Sequence, residues 1–151
     1  MPPPLQVQGQ AVGNGKYKIA NVKGGTVVDL DVNQSKVHAW QYHGNNNQHW
    51  EINYQGGNTY SIRNVQTGGY LAVERGTAGE GSNVVVWKDA FMWAIWRDEK
   101  DRTVWRIGAP RTPFHLDLSN HGNSSNGNPI KTYGAWDGRN QCWFIEQIEN
   151  Q

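Results

Sequence analysis

Gln48-His49-Trp50 and Gln141-Cys142-Trp143 are two copies of one tripeptide, Gln-x-Trp, and a degenerate copy reads Ala94-Ile95-Trp96 between them. On this reading the tryptophans recur at intervals of 46 and 47 residues. A second echo lies upstream. Tyr17-Lys18-Ile19-Ala20-Asn21 returns as Tyr60-Ser61-Ile62-Arg63-Asn64 and, more loosely, as Trp105-Arg106-Ile107-Gly108-Ala109, in steps of 43 and 45 residues. A fixed period of this length marks one supersecondary unit used three times. The expected boundaries are a loose arm or strap over residues 1–14 and one domain over 15–151, with repeats at about 15–56, 58–102 and 103–151.

Within each repeat, helical periodicity is hard to find. Short segments rich in β-branched and aromatic residues take its place: Thr26–Leu30, Val37–Trp40, Val84–Trp87 and Val104–Ile107. Gly- and Asn-rich turns such as 44–47, 56–58 and 120–127 separate them. That alternation predicts an all-β chain with about four strands per repeat. A propeller also uses four-stranded units of this size, but it needs at least about four blades to close. Three four-stranded units close instead as a β-trefoil, a six-stranded barrel capped by three hairpins. In a strand the Gln and Trp of the motif share a face, so Trp50, Trp96 and Trp143 are expected to form a core layer, one from each lobe.

The bulk numbers narrow the function. Fourteen basic residues against thirteen acidic ones leave a formal charge of +1 over 151 residues. No basic run is dense enough to neutralise a phosphate backbone, which argues against nucleic acid as a partner. No apolar run approaches the ~20 residues that cross a bilayer, so no membrane insertion is expected. The opening Met1-Pro2-Pro3-Pro4 has no charged and apolar leader pattern, and Cys142 is a single thiol. Together these lead to an expectation of a cytoplasmic protein without disulfides. His38, His43, His49, His115 and His121 do not fall at the spacing of known zinc motifs. Cys142 carries no sign of an activated thiolate. No cofactor, metal or catalytic residue is expected, and the chain reads as a non-enzyme.

The three-lobed Gln-x-Trp pattern resembles the ricin-B-type β-trefoil lectins, and the short, cysteine-poor form is most similar to the fungal members. The resemblance covers nearly everything after residue 14. It implies one sugar position per lobe. An early Asp takes two sugar hydroxyls, and an aromatic residue eleven to sixteen positions later stacks on the sugar's apolar face. An Asn beside the Gln-x-Trp adds a hydroxyl contact, while the Gln holds the Asp. The chemistry suits those residue types: an ionised carboxylate accepts two hydroxyl donors at once, and the ring covers C–H bonds without asking for a donor.

Carried onto this sequence, lobe one offers Asp29, Trp40, Asn47 and Gln48, with His43 as a further polar contact. Lobe three offers Asp117, Asn140 and Gln141, with Tyr133 in the stacking position and Trp136 as a second aromatic that would serve instead. Lobe two departs from the pattern. Ala72 replaces the Asp, and Trp93-Ala94 stands where Asn-Gln is expected, although Trp87 remains. That lobe reads as structural, with Phe91, Met92 and Trp93 as a subunit contact that would allow a homodimer.

Taken singly, Asp29 or Asp117 also reads as a turn cap, and Trp40 as a core residue. The matched offsets in two lobes are what favour sugar. The resemblance thus implies a lectin for galactose- or N-acetylgalactosamine-type glycans, and by analogy a defensive one. The alternative is a β-trefoil protease inhibitor acting through surface loops, because fold alone does not separate the two. An inhibitor, however, has no reason to keep Asp, aromatic and Asn-Gln in register twice.

Overall fold

A computed structural model describes residues 11–148 of the chain. Alternation at period two makes the strands. In the first, Tyr17, Ile19 and Asn21 point inward while Lys16, Lys18 and Ala20 are more exposed. The described residues hold twelve strands, four per repeat. Repeat one holds β1 (Gly15–Asn21), β2 (Val27–Asp31), β3 (Lys36–Trp40) and β4 (Trp50–Gly56). Repeat two holds β5 (Thr59–Asn64), β6 (Tyr70–Val73), β7 (Ser82–Trp87) and β8 (Trp93–Arg97). Repeat three holds β9 (Trp105–Gly108), β10 (Phe114–Leu118), β11 (Asn128–Gly134) and β12 (Trp143–Gln147).

The first and last strands of each repeat form a closed ring. β1 pairs with β4, β4 with β5, β5 with β8, β8 with β9, β9 with β12, and β12 returns to β1, every pair antiparallel. The middle strands form the hairpins β2–β3, β6–β7 and β10–β11, and β3, β7 and β11 pair with one another to close the cap. A ring of six with three mutually paired hairpins is a β-trefoil.

Ring closure leaves no free barrel edge and encloses one core. Its largest fully buried side chains are Trp50, Trp93 and Trp143. Each is the first residue of its strand, and each indole Nε1 donates to a hairpin carbonyl: Val28 (3.0 Å), Leu71 (2.8 Å) and Leu116 (3.2 Å). This corrects the expectation at Trp96, which is 37% exposed and rests edge-on against His115 at 4.9 Å. The degenerate motif of lobe two is Phe91-Met92-Trp93. The core tryptophans therefore stand 43 and 50 residues apart.

The same shift corrects two further expectations. Ala90-Phe91, not Trp93-Ala94, occupies the Asn-Gln position. Phe91 packs on Trp93 with ring centres 4.7 Å apart, so of the three residues assigned to a subunit contact only Met92, at 36%, counts as exposed. Nor does the Gln of the motif lie in a strand: Gln48 and Gln141 each end a single 3-10 turn, Asn46–Gln48 and Arg139–Gln141.

The upstream echo also has a physical cause. Asn21 Oδ1 accepts the amides of Lys23 and Gly24, and Asn64 Oδ1 those of Gln66 and Thr67, so each Asn pins the turn into its hairpin. Ala109 has no such side chain. There Thr112 takes over, donating from Oγ1 to the Ala109 carbonyl and accepting from the Phe114 amide.

Of the arm, residues 11–14 form a strap: the amides of Ala11 and Val12 donate to Tyr60 Oη, and Asn14 Oδ1 accepts from the Tyr54 amide. The rest of the arm, residues 1–10, lies outside the described residues, as do 149–151.

Candidate functional site

In lobe one the register of β2 and β3 sets Asp29 opposite His38 and Val27 opposite Trp40. Carboxylate and indole thus share one face of the hairpin. The chain then folds back through the Asn46–Gln48 turn and drives the Gln48 amide beneath that face. Its Nε2 donates to Asp29 Oδ2 (2.8 Å) and to the Gln41 carbonyl (2.9 Å). Its Oε1 accepts the amides of His43 (2.9 Å) and Gly44 (3.2 Å).

Every polar atom of Gln48 is consumed inside the protein, so its part is to hold Asp29. His38 Nε2 lies 2.8 Å from Asp29 Oδ1, placed to donate, and His43 Nε2 stands 3.9 Å from Oδ2. Asn47 is anchored by Nδ2 to the Leu30 carbonyl. The Trp40 ring is 37% exposed beside His38, a platform rather than a core residue.

Lobe three repeats the construction. Asp117 pairs with Lys131 and His115 with Tyr133, so Tyr133 stands where Trp40 does. Gln141 Nε2 donates to Asp117 Oδ2 (2.9 Å) and the Gly134 carbonyl (3.0 Å), while its Oε1 accepts the Trp136 amide (3.1 Å). Trp136 therefore occupies the His43 position, 48% exposed and packed on Gly138. Asn140 Nδ2 donates to the Leu118 carbonyl, as Asn47 does to Leu30.

A cavity of about 550 Å³ opens over Asp117, Lys131, Tyr133, Trp136 and Asn140. Two buried polar atoms on its wall, Asn140 Oδ1 and Ser119 Oγ, have no hydrogen-bond partner among the described residues. Burial raises the Asp117 carboxyl above the ordinary carboxylate value, opposed by its bonds to Gln141 and Asn140.

Lobe two keeps the platform and loses the rest. Tyr70 pairs with Trp87 and Ala72 with Val85, so Trp87 matches Trp40 and Tyr133 in register, and Ala72 matches the two aspartates. Only five residues separate Trp87 from Trp93, against nine in the other lobes. The four missing residues remove the 3-10 turn that presents the Gln.

Several neighbours were not evident from the sequence. His38 and Lys131 flank the carboxylates by register and were findable from strand pairing. Asn126 and Glu80 come from adjacent lobes. Asn126 Oδ1 accepts the Gln41 amide and Glu80 Oε1 the Gly134 amide, both at 2.7 Å. Arg106 of β9 donates to Gln141 Oε1 at 3.2 Å. No local pattern announces these three. Among the described residues no three His, Cys, Asp or Glu side chains gather to hold a metal ion, and no helix is long and apolar enough to cross a membrane.

The sequence matches the family described as ricin-type beta-trefoil lectin domain-like, over residues 6–87 and 57–133. The chain belongs to that family. Among solved structures it is similar to the Macrolepiota procera ricin B-like lectin in complex with lactose, at 37% identity and a TM-score of 0.87 over 93% of this chain and 100% of that one. It is also similar to the Rhizoctonia solani agglutinin, at 27% identity and a TM-score of 0.83 over 93% and 99% of the two chains. The designed three-fold symmetric protein ThreeFoil, 24% identical with a TM-score of 0.81 over 89% and 99%, shares the fold. No curated protein sequence matches the chain. In this ricin-type lectin chain the family's architecture is thus kept whole, while its three lobes have become unequal.

Proposed function

We propose that this ricin-type lectin binds galactose- or N-acetylgalactosamine-type glycans, without turnover, through lobes one and three. The observation that carries the reading is the register-matched set of a buried Asp, an aromatic platform and an amide-locked Gln in those two lobes. Each Asp stands with one or both oxygens braced from behind, so its remaining lone pairs are oriented before a ligand arrives. A galactose-like ring offers vicinal hydroxyls to the carboxylate and a C–H face to Trp40 or to Tyr133. In lobe three the unpartnered Asn140 Oδ1 adds an acceptor, consistent with the rule that buried polar atoms find partners. The lactose complex of the Macrolepiota procera lectin supports the same sugar class.

Shallow sites with a few hydroxyl contacts give affinities of roughly millimolar to tens of micromolar. Two such sites on one chain would cross-link glycans or gain avidity on a glycosylated surface. A glycan array with the unmutated chain beside Asp29→Ala/Asp117→Ala tests the proposal. Signals on terminal galactose or N-acetylgalactosamine that vanish in the double variant are expected. An unmutated chain silent across the array, or a double variant that binds undiminished, would overturn it.

A further inference from the structure

Gln48 and Gln141 hold their aspartates alike but are themselves held differently. Gln48 Oε1 takes two backbone amides, His43 and Gly44. Gln141 Oε1 takes one backbone amide, Trp136, and one side-chain donor, Arg106 Nη1 at 3.2 Å. Arg106 sits on β9, where repeats one and two carry Lys18 and Ser61, and it is buried. Its Nε is clamped at 2.7 Å by Asp98 Oδ1. Asp98 is clamped in turn, because its Oδ2 accepts the amides of Lys100 and Asp101. A continuous chain of contacts therefore runs Asp98–Arg106–Gln141–Asp117 and reaches the lobe-three cavity at Asp117.

The chemistry of that chain is directional. A guanidinium has donors and no acceptor, so it tolerates only the oxygen of the Gln141 amide. With Oε1 fixed on Arg106, Nε2 must face Asp117 Oδ2. A flipped amide would set oxygen against carboxylate and NH₂ against guanidinium. In lobe one two rigid backbone amides exclude that flip, whereas in lobe three Arg106 supplies half of the constraint. His115 Nδ1, 3.4 Å from Arg106 Nη1, must likewise act as an acceptor.

We infer that Arg106, held by Asp98, is a positioning residue for the lobe-three site that acts on Asp117 through Gln141. The inference rests on the lectin reading above and adds that the two sites answer differently to one buried residue of the barrel.

Lactose titrations in single-site backgrounds test it. In Asp29→Ala only lobe three reports, and in Asp117→Ala only lobe one. Arg106→Lys keeps a cation for Asp98 but loses the fork that reaches Gln141 as well. It is expected to weaken lobe-three binding about tenfold, in line with one lost charge-assisted bond, and to leave lobe one within about twofold. The acid limb of lobe-three binding should also move to higher pH, since a loosened Gln141 no longer favours the Asp117 carboxylate; a purely structural role would not move it.

Should Arg106→Lys fold poorly, Asp98→Asn/Arg106→Gln removes both buried charges together and carries the same expectation. Unchanged lobe-three affinity, or equal losses in both lobes, overturns the role of Arg106 while lactose binding itself survives. Absence of lactose binding by the unmutated chain overturns the lectin reading, and this inference with it.

Discussion

Trp93 and Trp96 lie three residues apart on one strand and have opposite tasks. Trp93 is fully buried and its indole N–H is satisfied by the Leu71 carbonyl. Trp96 sits at the surface against His115. Trp93→Ala is therefore expected to cost about 3–5 kcal/mol, as large-to-small changes in a core do, and Trp96→Ala under about 1 kcal/mol. Chemical denaturation of the two variants checks the contrast, and comparable losses would contradict the core assignment. His115 supplies a second residue-scale expectation. Burial, reinforced by the Arg106 charge, lowers its pKa to about 4. The unfolded chain, with an ordinary histidine near 6.5, binds more protons between these values, so stability should fall as pH drops from about 6.5 to 4. His115→Gln should flatten that part of a melting-temperature profile, and an unflattened profile would place the dependence elsewhere.

At the scale of elements, what separates lobes one and three from lobe two is the segment between platform and core tryptophan. Nine residues there, in lobes one and three, are enough for a 3-10 turn that swings Gln back under the Asp. Five residues in lobe two are not, and Phe91 packs against Trp93 where the Gln would stand. Ala72→Asp alone is therefore expected to create no third site, and titration of that variant should return the stoichiometry of the unmutated chain. A gained site would show that the carboxylate needs no brace. Most of the strands were legible in the sequence because β-branched segments and Asn-Gly turns alternate on a short scale. The third motif was not. Even spacing favoured Trp96, but lobe three carries five extra residues between the hairpin carbonyl and its tryptophan, beginning at the Ser119–Gly122 turn, so the true intervals are unequal. With Phe91 in place of Gln, no local signal corrected the error.

At the scale of the whole molecule, three-fold symmetry sets the frame and its lapses decide which lobes carry Asp, platform and Gln together. The aspartates, platforms and glutamines could be read from the sequence because their offsets repeat within a lobe. Asn126, Glu80 and Arg106 could not, because they reach their partners across 85, 54 and 35 residues, contacts that exist only once the ring has closed. The lobe-three carboxylate has an acid response of its own. Burial raises Asp117 above the ordinary carboxylate value, so lobe-three binding, isolated in an Asp29→Ala background, should begin to fail above the pH where an ordinary aspartate protonates, and a titration series in pH reads this directly.

Calorimetric titration with lactose measures whether lobes one and three bind while lobe two does not. Two sites on the unmutated chain, one on Asp29→Ala, one on Asp117→Ala and none on the double variant are the expected stoichiometries. Three sites on the unmutated chain, or a site that survives in the double variant, would rule out binding confined to lobes one and three.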